Sequence, residues 1–361
     1  MISPRNDVTL VKEINTDMVK AALKSLGKAT KAQISDATGI SVATCGKILN
    51  ELCATNEVLE TSQEQADYGR PAKSYMYNAL FSVVGCIYVH TDNNQILVSS
   101  MVANLLGDTL EESIEETTTV NYPAVRDRVR SLCRRFRNLS VVSIGIPGYM
   151  TDGVVNQSNF HDLNGIDLGE MLRADFPEIK VMVENDTNAA AYGFYMATCG
   201  GRDATVAFLF SPDKMMSGTG ESIPDVHARG RLAPVFNLGA GFVSGGRIQR
   251  GHSGFAGEVM NLPVNRTEYN AKRTEKSYVT LLSDVVVSII SIINPEYLAL
   301  SGGFITDAIV RAVRERCENL IPPCHMPKIV LRKNIHNDYI KGLVAIALET
   351  LTCHVRLVYK Y

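Results

Sequence analysis

The stretch Val141-Val142-Ser143-Ile144-Gly145-Ile146-Pro147-Gly148 restricts the fold more than any other in the chain. Such a run, apolar and short, is a strand buried on both faces, and its Gly/Pro end delivers a loop to a crevice. Strands of this kind lie in sheets covered by helices, with ligands bound beyond the strand ends. Val181-Met182-Val183-Glu184 repeats the pattern, and Asn185-Asp186-Thr187-Asn188 leads from it into a helix of small residues, 189–196. Segments 83–89, 95–102, 205–210 and 297–300 add strands. Segments 126–136, 283–293, 305–319 and 342–351 read as helices. Strand alternating with helix is the signature of an α/β fold.

The first 78 residues follow a different pattern. Met18, Val19, Ala22, Leu23 and Leu26 have the spacing of an amphipathic helix that starts near Thr16 and ends at Gly27. Thr30 with Gln33 predicts a capping box for a second helix, presenting Ala32, Ile34 and Ala37 and stopping at Gly39, where positive φ is accessible. Ser41 then caps a third helix, 42–55, with Val42, Cys45, Ile48, Leu49 and Leu52 on its buried side. Helix, short helix, glycine turn and helix make a helix-turn-helix, whose third helix offers Ser41, Thr44 and Lys47 to a major groove. Two short strands, 58–60 and 74–77, joined by a polar loop, form a wing. Arg70 and Lys73 there are placed to meet phosphate or a minor groove. The alternative is a small helical protein-interaction module, because this segment carries nine lysines and arginines against nine aspartates and glutamates. Such a charge balance implies that DNA binding depends on a homodimer, two half-sites being read together.

A length of 361 residues exceeds one compact core, so several domains are expected. The eight cysteines form no CxxC or CxC pair, which argues against a zinc knuckle or a redox dithiol and suits buried thiols in a reducing compartment. Met1 is followed by no charged-then-apolar leader, and the longest apolar stretch, 285–293, is shorter than a bilayer requires. A cytoplasmic protein without a membrane partner is the expectation.

Four landmarks recur along the body of the chain: Gly145-Ile146-Pro147-Gly148, Glu184-Asn185-Asp186-Thr187-Asn188-Ala189-Ala190, Gly251-His252-Ser253-Gly254-Phe255-Ala256-Gly257-Glu258 and Ser301-Gly302-Gly303. In order and spacing they resemble the ligand domain of the ROK family (repressors, open reading frames and kinases). The N-terminal segment, with Tyr68-Gly69-Arg70-Pro71, resembles the winged helix of that family's repressor branch. The resemblance implies an N-terminal winged helix-turn-helix, residues 1–78, followed by a two-lobed α/β actin-like fold of the sugar-kinase (ribonuclease H-like) ATPase type. The first lobe is placed at 79–197, the second at 198–339, and a C-terminal helix, 340–361, returns to the first. Palindromic double-stranded DNA and a carbohydrate effector are the implied partners.

Family kinases place their general base at the position of Asp186, with Asn185 beside it on a sugar hydroxyl. An aspartate at a strand-to-helix junction can also simply cap the helix. Gly148, Asn159, His161 and Glu258 complete the implied ligand set, although Glu258 can equally accept backbone N–H groups and His161 can be a surface residue. The phosphate side departs from the family. Its first loop, Asp-x-Gly-Gly-Thr, is matched by Ile87-Tyr88-Val89-His90-Thr91, whose side chains are expected to take the space of a phosphate contact. The second loop, Gly-Thr-Gly, is matched by Val235-Phe236-Asn237. The zinc-ligating His of the family is Asn261 here, and 265–278 holds no cysteine, so no zinc and no other cofactor is expected. A sugar-responsive regulator is therefore the expectation. The alternatives are a divergent ATP- and Mg-dependent sugar kinase with Asp186 as its catalytic residue, and a DNA-binding protein with no small-molecule effector.

Overall fold

The computed structural model describes residues 4–61, 73–92, 95–151, 153–158, 160–211, 238–264, 274–303 and 305–351. Arg70, Asn159 and Val235-Phe236-Asn237 lie outside them, as do 265–273 and the last ten residues of the C-terminal segment.

The N-terminal segment forms α1 (Pro4–Leu26), β1 (Lys28–Thr30), α2 (Lys31–Thr38), α3 (Val42–Ala54), β2 (Val58–Thr61) and β3 (Ser74–Tyr77). Local chemistry explains the breaks. Thr30 Oγ1 accepts from Gln33 N, and Gln33 Oε1 accepts from Thr30 N at 2.8 Å, the reciprocal box that starts α2. Gly39 ends α2 in the left-handed conformation, φ 71°. Ser41 Oγ accepts from Thr44 N to start α3. Two expectations change here. The first helix begins at Pro4, about three turns before Thr16, and β1 adds a third strand to the wing sheet, in the order β1-β3-β2. Of the apolar residues expected on α2, Ile34 alone is buried. The core joins Val19, Leu23, Ile34, Cys45, Ile48, Leu49, Leu52, Val58, Tyr75 and Tyr77.

Two five-stranded sheets follow. The first contains β4 (Val83–Asp92), β5 (Gln95–Asn104), β6 (Thr109–Thr117), β7 (Leu139–Ile146) and β10 (Lys180–Asn185), in the order β10-β7-β4-β5-β6. Its helices are α4 (Tyr122–Arg135) and α5 (Leu168–Asp175), and a small hairpin, β8 (Tyr149–Thr151) with β9 (Val154–Gln157), leaves the end of β7. The second sheet contains β11 (Thr205–Phe210), β12 (Gly239–Ser244), β13 (Arg247–Ile248), β14 (Tyr297–Ser301) and β15 (Lys328–Arg332), in the order β13-β12-β11-β14-β15. Both have the same wiring: an antiparallel three-strand meander, with two further strands added parallel beside its first strand.

Between the sheets lie α6 (Asp186–Cys199) and α9 (Ile335–Glu349). Ala189, Ala190, Ala191, Phe194 and Tyr195 of α6 are buried together with Tyr339, Leu343 and Ala347 of α9, Val84 and Cys86 of the first sheet, and Val206 and Phe208 of the second. Burial on all sides explains why α6 reads as small residues without an amphipathic stripe. The two helices cross almost backbone to backbone: a Cβ on Gly193 would overlap the Asp338 carbonyl, and one on Gly342 would overlap the Ala189 carbonyl. The outer face of the first sheet is covered by α4 and α5. That of the second is covered by α7 (Glu275–Ile293) and α8 (Asp307–Glu318). The molecule is thus a five-layer α/β stack with a winged helix at one end.

Helix α7 starts eight residues before the expected 283 and, at 19 residues, is long and apolar enough to cross a membrane by length and composition. Its Leu281, Leu282, Val285, Val286, Ile289 and Ile290 are instead buried against the second sheet. The cysteines among the described residues are free.

Candidate functional site

On the winged helix, Ser41 and Lys47 are exposed and Thr44 is half-buried at the start of α3. The Ser41 and Thr44 hydroxyls are 2.9 Å apart, so Ser41 both caps the helix and fixes its neighbour. Gly46 packs against the Lys31 side chain, drawing α2 close to α3. Lys73 is exposed but its ammonium is paired with Glu60 across the wing, 2.8 Å away. The early lysines are also engaged: Lys12 with Glu51, Lys20 with Glu57, and Lys24 over the Tyr77 ring at 4.6 Å.

The cleft is built where β7 and β10 end. Asn185, rather than Asp186, is the N-cap of α6: its Oδ1 accepts from Asn188 N at 2.9 Å, and its Nδ2 donates to the Gly148 carbonyl at 2.6 Å. One end of the Asn185 amide therefore caps α6 and the other holds the loop after β7. Asp186 stands in the first turn of α6, its Oδ1 accepting from Thr187 N at 2.8 Å. Desolvation at the cleft floor pushes its carboxyl up to about 6, with the negative charge of Glu258 adding to the rise. Glu258, from the second lobe, is also raised by burial. The structure thus brings Gly148, Asn185, Asp186 and Glu258 together. His161 is exposed at the start of a 3-10 turn, 161–163, and no hydrogen bond joins it to them.

Contacts absent from the sequence-based expectation close one side of this cleft. Arg250 of the second lobe donates Nε to Glu184 Oε2 at 2.9 Å and also bonds it through Nη2. Glu184, buried at the end of β10, further accepts from Asn185 N and Asn188 Nδ2. Thr151 Oγ1 donates to the Ser253 carbonyl at 2.7 Å, and the Tyr149 and Phe255 rings meet edge to face at 5.5 Å. A charged residue closing an apolar strand was the available signal for Glu184. Nothing local marks Arg250.

Comparison with known proteins bears on this arrangement. The model of the ROK family matches residues 89–210, which carry β7, β10 and the Asp186 turn. Over that stretch the chain is similar to the ROK family. Among curated relatives, a xylose repressor of Bacillus spizizenii is 21% identical over 72% of this chain and 62% of its own length. The xylose repressor of Bacillus subtilis is 22% identical over the same shares. The chain therefore spans less than two thirds of either relative. Among solved structures, a ROK family transcriptional regulator described as a homologue of the E. coli MLC protein matches 94% of this chain and 99% of its own, with TM-score 0.64 and 16% identity. A ROK hexokinase from Thermus thermophilus matches 74% and 99%, with TM-score 0.57 and 15% identity. These likenesses show the fold, and the family holds repressors and kinases alike.

In this chain the stretch matched to the family's first phosphate loop is a continuous strand. Strand alternation corrects one expectation: Ile87 and Val89 face the outer core under α4, so Ile87 does not take up space on the cleft side. The rings on the inner side are Tyr88 and His90, stacked at 5.4 Å. His336 meets His90 edge to face at 4.3 Å, and Tyr339 meets Tyr88 at 5.5 Å. Among the described residues no three or more His, Cys, Asp or Glu side chains gather as a metal site.

Proposed function

We propose that this protein is a cytoplasmic transcriptional regulator that binds a palindromic operator as a homodimer and responds to a carbohydrate in its interlobe cleft. One observation carries the reading: the hydroxyl-binding side of the cleft keeps two carboxylates, Asp186 and Glu258, while the phosphate position is filled by Tyr88, His90, His336 and Tyr339. Ionised carboxylates are acceptors only, and sugar hydroxyls are matching donors. Packed rings leave no backbone amides for a polyphosphate to approach. The xylose repressors among the relatives make a pentose the first ligand to test. Ligand shifts DNA affinity by the difference in its affinity for the two lobe arrangements. The exposed Lys47 and the capped start of α3 provide the groove-reading face.

The test is selection of bound duplexes from a random-sequence library by the purified chain, followed by affinity measurement with and without D-xylose and D-glucose. Enrichment of a palindrome whose affinity changes with one of these sugars supports the reading. No enrichment above random DNA rejects it.

A second reading, a sugar kinase, is favoured by one feature: a carboxyl near pH 6 at a cleft floor suits a general base. Sugar-dependent ATP turnover that Asp186→Asn abolishes supports this reading. Absence of turnover with both sugars removes it.

A further inference from the structure

Tyr339 lies in the first turns of α9, 3% exposed, and its hydroxyl has no hydrogen-bond partner among the described residues. The ring enters the sheet at one register row. Tyr88 of β4, Gly145 of β7 and Glu184 of β10 lie side by side there. Tyr88 and Glu184 carry side chains and Gly145 does not, so the hydroxyl seats over Gly145, where any Cβ would collide with it. The flanking groups are Glu184, held by Arg250 from the opposite lobe, and Asp186 at the start of α6. Both carboxylates, with Tyr88, hold the Tyr339 hydroxyl in its protonated, donor form after burial has done most of that work. A buried donor beside two carboxylates, with no partner among the described residues, is an unmade hydrogen bond, and such groups are costly unless another state of the molecule satisfies them.

The rest of α9 shows what such a state would move. One turn beyond Tyr339, Ser143 Oγ donates to the Leu343 carbonyl at 2.9 Å. At its far end Lys180 Nζ donates to the Thr350 carbonyl at 2.9 Å, and Leu348 and Leu351 pack into the winged-helix core beside Leu105. The helix therefore runs from the cleft edge of the first sheet to the edge that carries α1–α3. Its first turn is tied to the second lobe by Arg332, which clamps the fully buried Asp338 at 2.7 Å. A single helix touches both lobes and the winged helix.

We propose that Tyr339 is the positioning residue that reports cleft occupancy to the winged helix: in the liganded state its hydroxyl bonds the Glu184–Asp186 row, and α9 carries the adjustment to Leu348 and Leu351. This rests on the regulator reading above, and it names the side chain and the helix through which that regulation passes.

The experiment uses the full chain, the duplex enriched from the random library, and whichever of D-xylose and D-glucose the wild type binds. Tyr339→Phe removes one oxygen and keeps the ring. The expected result is unchanged thermal stability and sugar-free DNA affinity, with the sugar-induced change in DNA affinity falling to within about twofold of none. Leu351→Ala, at the other end of the helix, should keep sugar affinity and lose the same response. Hydrogen exchange should show α9 altered by sugar in the wild type and unaltered in Tyr339→Phe. A Tyr339→Phe variant that responds like the wild type overturns the inference while leaving the regulator reading intact. So does a Leu351→Ala variant with full response, should the tyrosine variant fail to fold. A wild type that binds neither sugar, or whose DNA affinity neither sugar changes, removes the regulator reading and the inference with it.

Discussion

Arg250 and Glu184 form an ion pair across the cleft: a guanidinium from the second lobe, half exposed, closes on a carboxylate of the first lobe that is 5% exposed. Glu184 also accepts from Asn185 N and Asn188 Nδ2, so this one carboxylate ties the loop that carries Asp186 to the opposite lobe. The lobe arrangement and the geometry of the Asp186 carboxylate are thereby coupled.

Arg250→Ala should loosen both. Glu184 keeps its two amide donors but loses its charge partner, and the exposure of Arg250 moderates the loss. A decrease of about 1–3 kcal/mol in unfolding free energy is expected, with a larger relative fall in sugar affinity. Urea denaturation and calorimetry on the same preparation check this. Unchanged values in both would mean that the pair is a surface contact without consequence.

Sugar affinity should fall as the medium is acidified. The Asp186 carboxyl is raised to about 6 in the folded protein, so between its ordinary value and that point the folded state holds more protons than the unfolded one. The sign follows: this group makes stability decline as pH rises from about 4 to about 6. Over the same interval the ionised acceptor needed for sugar hydroxyls appears, so binding strengthens while intrinsic stability weakens. Calorimetric titration from about pH 7 to about pH 5, roughly 1 unit either side of the raised value, should show the loss in wild type and a shallower profile in Asp186→Asn, where Glu258 alone still titrates upward of its ordinary range.

The start of α3 separates folding from recognition. Ser41→Ala removes the cap on Thr44 N and should cost about 1 kcal/mol of stability, seen as a lower thermal midpoint. Lys47→Ala, at an exposed position, should leave the midpoint alone. It should instead relax discrimination at one or two base pairs by about 1–3 kcal/mol in competition binding against mismatched duplexes. Equal losses on selected and random DNA would assign Lys47 to the phosphate backbone.

Arg332→Ala should be the most damaging of these changes. It leaves Asp338, which is fully buried, without its guanidinium at the root of α9. Because Arg332 is itself about a third exposed, a loss of roughly 3 kcal/mol is expected, at the low end for broken buried pairs. Chemical denaturation measures it directly, and a loss below that of Ser41→Ala would be inconsistent with a buried unpaired charge.

Local features were legible in the sequence because their cause lies within a few residues. The Thr30–Gln33 box, the Gly39 turn and the Ser41 cap all depend on contacts three or four positions apart. The buried strands β4, β7, β10 and β11 were equally plain as apolar runs. The elements that escaped are those with little apolar content or little length. Strand β6 is an edge strand reading Thr-Leu-Glu-Glu-Ser-Ile-Glu-Glu-Thr, exposed or half-exposed along its whole length, and β1 has three residues. The matching wiring of the two sheets left no trace as a repeat, because topology constrains strand order and not residue identity. Within the site, Asp186 and Glu258 were singled out because the motifs around them resemble those of the ROK family. Arg250 and Tyr339 act 66 and more than 150 residues from Glu184, a relationship only the folded chain provides.

Where α6 and α9 cross at Gly193 and Gly342, main chain rests on main chain with no side chain between. The close approach extends from Ala189 to Gly193 on one helix and from Asp338 to Gly342 on the other. A methyl group at either glycine would land on main chain, which no rotamer change relieves, so it would have to separate the two helices that hold the sheets together.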